Sequence, residues 1–214
     1  MAVRLVMLGP PGAGKGTQAA RFARERRVPK ISTGDILREA VQAGTPLGRA
    51  ARTVMDAGRL VGDEIVIGIV ADRLGREDAA DGFVLDGFPR TIPQASALDD
   101  LVDGRAPLVV VDIEVPEDAL VERLSGRRVC ANCGWTAPPG MNVCARCGGP
   151  LVQRRDDSSD VVRERLRVYA RDTRPLVEFY RQRPTFRSVD GDQAQDSVAA
   201  DIAAAVASVV GGGR

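Results

Sequence analysis

A chain of 214 residues with 44% hydrophobic and 28% charged side chains is long enough to bury a sizeable core and has the make-up of an ordinary globular protein. Its formal net charge of +1 gives no bulk attraction to nucleic acid or to a membrane surface. Histidine is absent, which excludes a Ser-His-Asp triad, an H-E-x-x-H zinc site and any imidazole acid or base.

In chain order, apolar runs at 3–8, 28–32, 83–86, 108–113 and 185–189 predict strands. Several are apolar on both alternating faces, as parallel strands covered by helices are. Helical patterns fill 17–27, 46–57, 63–74, 116–124, 160–182 and 195–210. Pro46 behind Thr45 and a stop at Gly58 give the second of these good cap chemistry. Alternation of strand and helix argues for a parallel α/β fold. Two stretches break it: 32–61 puts helices between strands, and 126–157 is rich in Gly, Pro and Cys without an apolar period. Both read as excursions from one core, and the tail GGGR reads as disordered. No apolar run approaches the ~20 residues that span a bilayer, and no signal-peptide pattern opens the chain, so the cytoplasm is the expected address.

The stretch GPPGAGKGT (9–17) follows a strand and precedes a helix, which is the setting of a phosphate cradle. Glycines let consecutive N–H groups face one centre, and Lys15 adds a compact ammonium for outer phosphates. Only Lys15 and Lys30 among the 30 basic residues are lysines, so the choice at position 15 is informative. The general pattern wants Ser or Thr after the lysine, but Gly16 stands there and Thr17 comes one residue late. Further on, STGD (32–35) ends a strand and opens a helix, with Ser32 or Thr33 available as cap. DGFPRT (86–91) places Asp86 at the carboxyl end of a buried strand, where open α/β sheets bind ligands. Taken alone, the first reads as a capped helix with an exposed Arg38 and the second as a turn-forming Asp-Gly.

Four cysteines form two C-x-x-C-G knuckles, Cys130/Cys133 and Cys144/Cys147, ten residues apart. Four thiolates so spaced suit a tetrahedral, structural zinc, with disulfides as the alternative.

Taken together and in order, these segments, with MDAGRLVGDEIV (55–66), VERLSGRR (121–128) and RRDD…VVRERL (154–166), resemble adenylate kinase over nearly the whole chain. The resemblance implies a P-loop NTPase-type, five-stranded parallel sheet flanked by helices. One kinase domain would span 1–214, its core being 1–31, 62–125 and 158–214, with a helical NMP-binding insertion at 32–61 and a zinc-ribbon lid at 126–157. It implies reversible, Mg2+-dependent transfer of a phosphoryl group from ATP to AMP, giving two ADP. Gly12, Ala13, Gly14, Lys15, Gly16 and Thr17 would hold ATP phosphates, with Asp86 near a magnesium held through water. Thr33, Arg38 and Arg90 would hold AMP, with backbone from Arg59, Leu60 and Val61 and from Gly87, Phe88, Pro89 and Arg90. Gln94 would read adenine, to which a carboxamide pairs bidentately. Arg123 and Arg127 would clamp ATP, while Arg154 and Arg165 would approach the phosphates from the lid. Thr136, Ala137 and Gln193 would touch the ATP adenosine. Some relatives carry a structural zinc in the lid; here the stretch between the cysteine pairs is shorter than theirs. A monomer without nucleic-acid or membrane partners is implied as well.

The chemistry agrees, because the AMP phosphate is already an anionic nucleophile and needs no general base. The reaction asks for in-line positioning and many cations. The alternatives are a kinase for UMP or CMP and, from a different class, a zinc-ribbon nucleic-acid module. The ribbon lacks basic and aromatic interleaving beyond Trp135.

Overall fold

The computed structural model describes residues 3–102 and 106–211. Strand β1 (Val3–Leu8) runs into the glycine loop and helix α1 (Lys15–Arg26), then β2 (Lys30–Ser32). Helices α2 (Thr33–Gln42), α3 (Pro46–Asp56) and α4 (Asp63–Leu74) follow before β3 (Gly82–Asp86), α5 (Ile92–Val102), β4 (Leu108–Glu114) and α6 (Glu117–Ser125). Three short strands come next, β5 (Arg128–Cys130), β6 (Thr136–Ala137) and β7 (Leu151–Val152). The chain closes with α7 (Ser159–Val168), α8 (Pro175–Arg181), β8 (Phe186–Asp190) and α9 (Gln195–Val210).

The five longer-range strands form one parallel sheet in the order β2-β3-β1-β4-β8. Alternation along β1 divides the core between the sheet's faces. Val6 and Leu8 join Ile31, Phe83, Leu85, Leu98 and Tyr180 in one cluster. Leu5 and Met7 join Phe22, Val84, Val109, Val111 and Ile202 in the other. Each such side chain, fully buried, contributes about 1.5–3 kcal/mol against exposure. The order brings the carboxyl ends of β1 and β3 side by side, with Met7 opposite Asp86.

Most predicted strand and helix limits agree to within two residues, and three points differ. Helix α1 starts at Lys15, not 17, because Gly14 is its N-cap at φ 92°. Helix α5 was not read from the sequence: Pro93, Ser96 and the Asp99–Asp100 pair thin its apolar pattern. Thr91 starts it, accepting from the Gln94 N–H at 3.3 Å. The single helix expected over 160–182 is α7 and α8 joined by a wide π turn, Tyr169–Thr173. Pro175 has no N–H to give and crowds the carbonyl four residues back, so the backbone widens and Arg174 N–H bonds Tyr169 O at 2.8 Å. The expected disordered tail lies, from 212 onward, outside the described residues.

The cysteine-rich stretch is a small antiparallel sheet, β6-β5-β7. Its only buried aliphatic side chain over 128–152 is Val129. Among the described residues no helix is long and apolar enough to cross a membrane.

Candidate active site

Lys15 opens α1 with its ammonium turned back into the loop, donating to the carbonyls of Gly9 at 2.6 Å and Pro10 at 2.8 Å. Burial pulls its pKa down to about 7; Asp86 partly offsets this, while the nearby Arg90 and Arg165 push it further down. The ammonium is therefore poised to respond to incoming negative charge.

Gly16 now has a structural reason. A Cβ there would lie 3.2 Å from Asp86 Oδ2, tighter than ordinary contact. Lys30 Nζ bridges the same carboxylate, at 3.5 Å, and Asp35 Oδ2, at 2.9 Å. A serine or threonine would crowd this pair, so glycine fits where the general loop has a hydroxyl.

Helix α2 starts where β2 ends, with Ser32 Oγ accepting from the Asp35 N–H at 3.4 Å. Thr33 follows and donates to Gly87 O at 2.8 Å, tying α2 to the turn after β3. Arg90 donates from Nε to the same carbonyl at 2.8 Å, and Thr173 Oγ1 donates to Arg90 O at 2.9 Å. Arg38 pairs with Asp35. Burial alone would raise the Asp35 carboxyl's pKa, but Lys30 and Arg38 overcome it and hold the group well below the usual range. Arg90 sits so deep that burial, with Arg165 beside it, lowers its pKa to about 10.

One cavity joins these parts. Lys15, Thr33, Arg38, Arg90 and Arg165 line it, along with Arg59, Leu60, Val61, Gly87, Pro89 and Gln94. Phe88, between the lining residues Gly87 and Pro89, is itself fully buried in the core and outside the lining. The remaining expected residues lie outside this lining. Arg127 and Arg165 both donate to the sealed carboxylate of Asp157, and Arg165 also pairs with Asp156 at 3.1 Å. Burial, then repulsion from Arg38 and Arg127, lowers the pKa of Arg154 to about 10. Arg123 donates to Gly191 O at 3.0 Å and Asp192 Oδ1 at 2.9 Å, beside the loop that carries Gln193. Gln193 itself donates to Asp190 O and Asp201 Oδ2. Thr136 and Ala137 pair with Val129 and Arg128 across the small sheet.

Sequence reasoning passed over Lys30, Asp35, Asp63, Asp112, Asp156 and Asp157. Lys30 carried the same signal as Lys15, rarity among arginines. Asp112 interrupts an otherwise apolar strand and is 4% exposed. Burial, reinforced by Glu114, raises its pKa to about 6.

The sulfurs of Cys130, Cys133, Cys144 and Cys147 all lie within 4.8 Å of one another, and all four are free thiols. Cys130–Cys147 and Cys133–Cys144 are 3.4 and 3.6 Å apart. A tetrahedron of sulfurs each about 2.3 Å from zinc has edges of roughly 3.8 Å, so the set fits that ion. At the knuckles, Gly134 and Gly148 N–H bond the carbonyls of Cys130 and Cys144, while Arg146 N–H reaches the Cys144 sulfur.

A histidine-free, cation-rich cavity beside a glycine loop is built for phosphate chemistry, and with the parallel sheet behind it the protein falls among the P-loop kinases. A model of the family "Adenylate kinase" matches residues 7–185. Proteins named adenylate kinase from Moorella thermoacetica, Desulfitobacterium hafniense and Archaeoglobus fulgidus are similar to the chain. The first is 52% identical over 204 residues, covering 92% of this chain and 94% of the relative. The other two are 48% identical, over 213 and 210 residues; each covers 94% of this chain, with 96% and 97% of the relatives covered. The chain belongs to the adenylate kinase family, whose enzymes transfer a phosphoryl group between ATP and AMP.

Proposed function

We propose that ATP phosphates lie on the glycine loop, Gly12 to Thr17, and AMP in the cavity between α2 and α5. The observation that carries this is the gathering of Lys15, Arg38, Arg90 and Arg165 around one cavity whose lining also includes the buried carboxamide of Gln94. Thr33, Arg38 and Arg90 hold the AMP phosphate, backbone of Arg59 to Val61 and Gly87 to Arg90 encloses the nucleoside, and Gln94 reads the base. Arg123, Arg127, Arg154 and Arg165 supply further positive charge to the transferring group. No proton need be removed from the attacking phosphate oxygen, in keeping with the lack of histidine.

Magnesium brought in with ATP would supply neutralisation of the phosphate charge. Asp86, an oxygen-only ligand at the end of β3, is the residue to hold it through water, since Gly16 offers no hydroxyl. Residues 32–61 serve as the NMP-binding insertion and 126–157 as a lid whose cysteines hold a structural zinc. The enzyme works as a cytoplasmic monomer.

The test is ADP formation from ATP with AMP, UMP, CMP or GMP as acceptor. AMP should be used far better than the others; equal or better use of UMP or CMP would overturn the assignment of the acceptor.

A further inference from the structure

Gln94 is 1% exposed, yet it lines the cavity. Both ends of its carboxamide are already engaged by the protein. Its Nε2 donates to Asp63 Oδ1 at 2.7 Å, and its Oε1 accepts from the Arg90 N–H at 2.8 Å. Asp63 lies in the first turn of α4, and its other oxygen accepts from Thr91 Oγ1 at 3.0 Å. Thr91 in turn accepts from the Gln94 N–H, so the aspartate is fastened to the start of the helix that carries the glutamine.

A carboxamide can turn end for end at almost no steric cost, which is why its orientation must be settled by its partners. Here the partners differ in kind. A carboxylate only accepts, so it requires the NH2 end; a backbone N–H only donates, so it requires the oxygen. Turning the amide would place donor against donor at Arg90 and acceptor against acceptor at Asp63. In a buried setting each such loss costs the full desolvation of an unpaired polar group.

Each end keeps one free valence, a lone pair on Oε1 and a hydrogen on Nε2. Together they accept from an amino group and donate to a ring nitrogen, which is the pattern of adenine's N6 and N1. A 6-oxopurine offers an oxygen and an N1–H there, the opposite order. From this we infer that Asp63 is a specificity-determining residue: by fixing the orientation of the Gln94 amide, it makes the acceptor site select 6-aminopurine over 6-oxopurine monophosphates. The inference rests on the reading of this cavity as the AMP site, and it extends that reading from Gln94 to a residue that need not touch the nucleotide.

Three acceptors separate a fixed amide from a free one: AMP, purine ribonucleoside 5′-monophosphate, which keeps the N1 acceptor but lacks the amino group, and IMP. With the amide fixed, kcat/KM should fall in that order, IMP trailing the unsubstituted purine by at least about tenfold because its edge meets matched donors and matched acceptors. A freely turning amide makes two bonds to IMP, so IMP ranking level with or above the unsubstituted purine would overturn the inference. Asp63→Ala should narrow the AMP-to-IMP ratio by at least about tenfold, leaving KM for ATP unchanged. Asp63→Asn, which keeps an accepting oxygen, should restore most of the ratio. A folded Asp63→Ala variant that loses AMP and IMP activity equally would also overturn it. If that variant does not fold, Thr91→Val removes the hydroxyl anchoring Asp63 and should narrow the ratio less, and an unchanged ratio there counts against the inference. Failure of the unaltered protein to make ADP from ATP and AMP would instead strike at the reading of the site.

Discussion

Arg127 closes over Asp157 with two hydrogen bonds, the one from Nε being 2.7 Å, and the carboxylate beneath it has no exposed surface. Arg165 adds a third at 2.9 Å. One buried anion therefore holds two guanidinium groups from different elements, the link after α6 and helix α7. Removing it takes away the ion-pair partner of half-buried Arg127, while Arg165 keeps only Asp156. Asp157→Ala should lose about 3 kcal/mol of unfolding free energy, read from denaturant titration. A loss below about 1 kcal/mol would mean that the pair behaves like a surface ion pair.

Lys15→Met should lower kcat by at least about a hundredfold, with an unchanged circular dichroism spectrum, because charge stabilisation of the transferring group is lost. A folded variant that keeps a tenth of the activity would count against the cradle.

The same lysine makes nucleotide binding depend on pH. With its pKa near 7 in the free protein, Lys15 is largely neutral at pH 8. Phosphates favour the charged form and raise that pKa, so binding should take up a proton above pH 7. ATP affinity should accordingly be greatest below pH 7 and decline as pH rises. Calorimetry in buffers of different ionisation enthalpy measures the uptake, which should vanish in Lys15→Met.

Among the described residues, only Lys30 forms ion pairs with both Asp35 and Asp86. Without it, Asp35 would turn its whole charge on Arg38 and compete with the acceptor's phosphate. Lys30→Met should raise KM for AMP severalfold, and Lys30→Arg should raise it less. Stability carries the matching signature. Asp35 has its pKa depressed, so its contribution is present above the ordinary carboxylate range and fades as pH falls below it. The melting temperature of Lys30→Met should thus lie below the parent's at pH 7, with the gap closing on acidification. A gap independent of pH would point to packing alone.

With Val129 as its only buried aliphatic side chain, the small sheet cannot hold itself together by apolar burial. Zinc on the four cysteines, as proposed, would supply folding free energy there. Freshly purified protein should contain one zinc per chain, and Cys144→Ser should lose it and melt at lower temperature. Turnover at low temperature should fall only in part, since the glycine loop and acceptor cavity do not include these residues. Metal-free preparations of full stability would defeat the structural role.

Much of this was legible in the sequence, for identifiable reasons. Strands β1 and β4 are apolar on both alternating faces apart from Arg4 in the one and Asp112 and Glu114 in the other, as strands of a covered parallel sheet are. Lys15 stood out by rarity, and Asp86 by its place at a strand end. Helix α5 escaped because its buried face is made by Gln94, Ala95 and Leu98, of which only one is a large apolar residue. The acidic residues escaped for a different reason. Asp63 in a first helical turn looks like an ordinary partner of the helix dipole, and Asp157 like one more charge in a polar run. What each of them does is fixed by a partner about thirty residues away, Gln94 for one and Arg127 for the other, and no local pattern records that distance.

The π turn between α7 and α8 has a consequence for how the two helices share their work. One residue more than an α-helical turn would hold advances every later side chain by about 100° around the axis. Arg165 before the turn lines the cavity, while Leu176, Val177 and Tyr180 after it are buried in the core. The extra residue acts as a phase step, so deleting Arg171 or Asp172 would leave the hydrophobic count intact yet rotate the far end of the segment out of register with the sheet it covers.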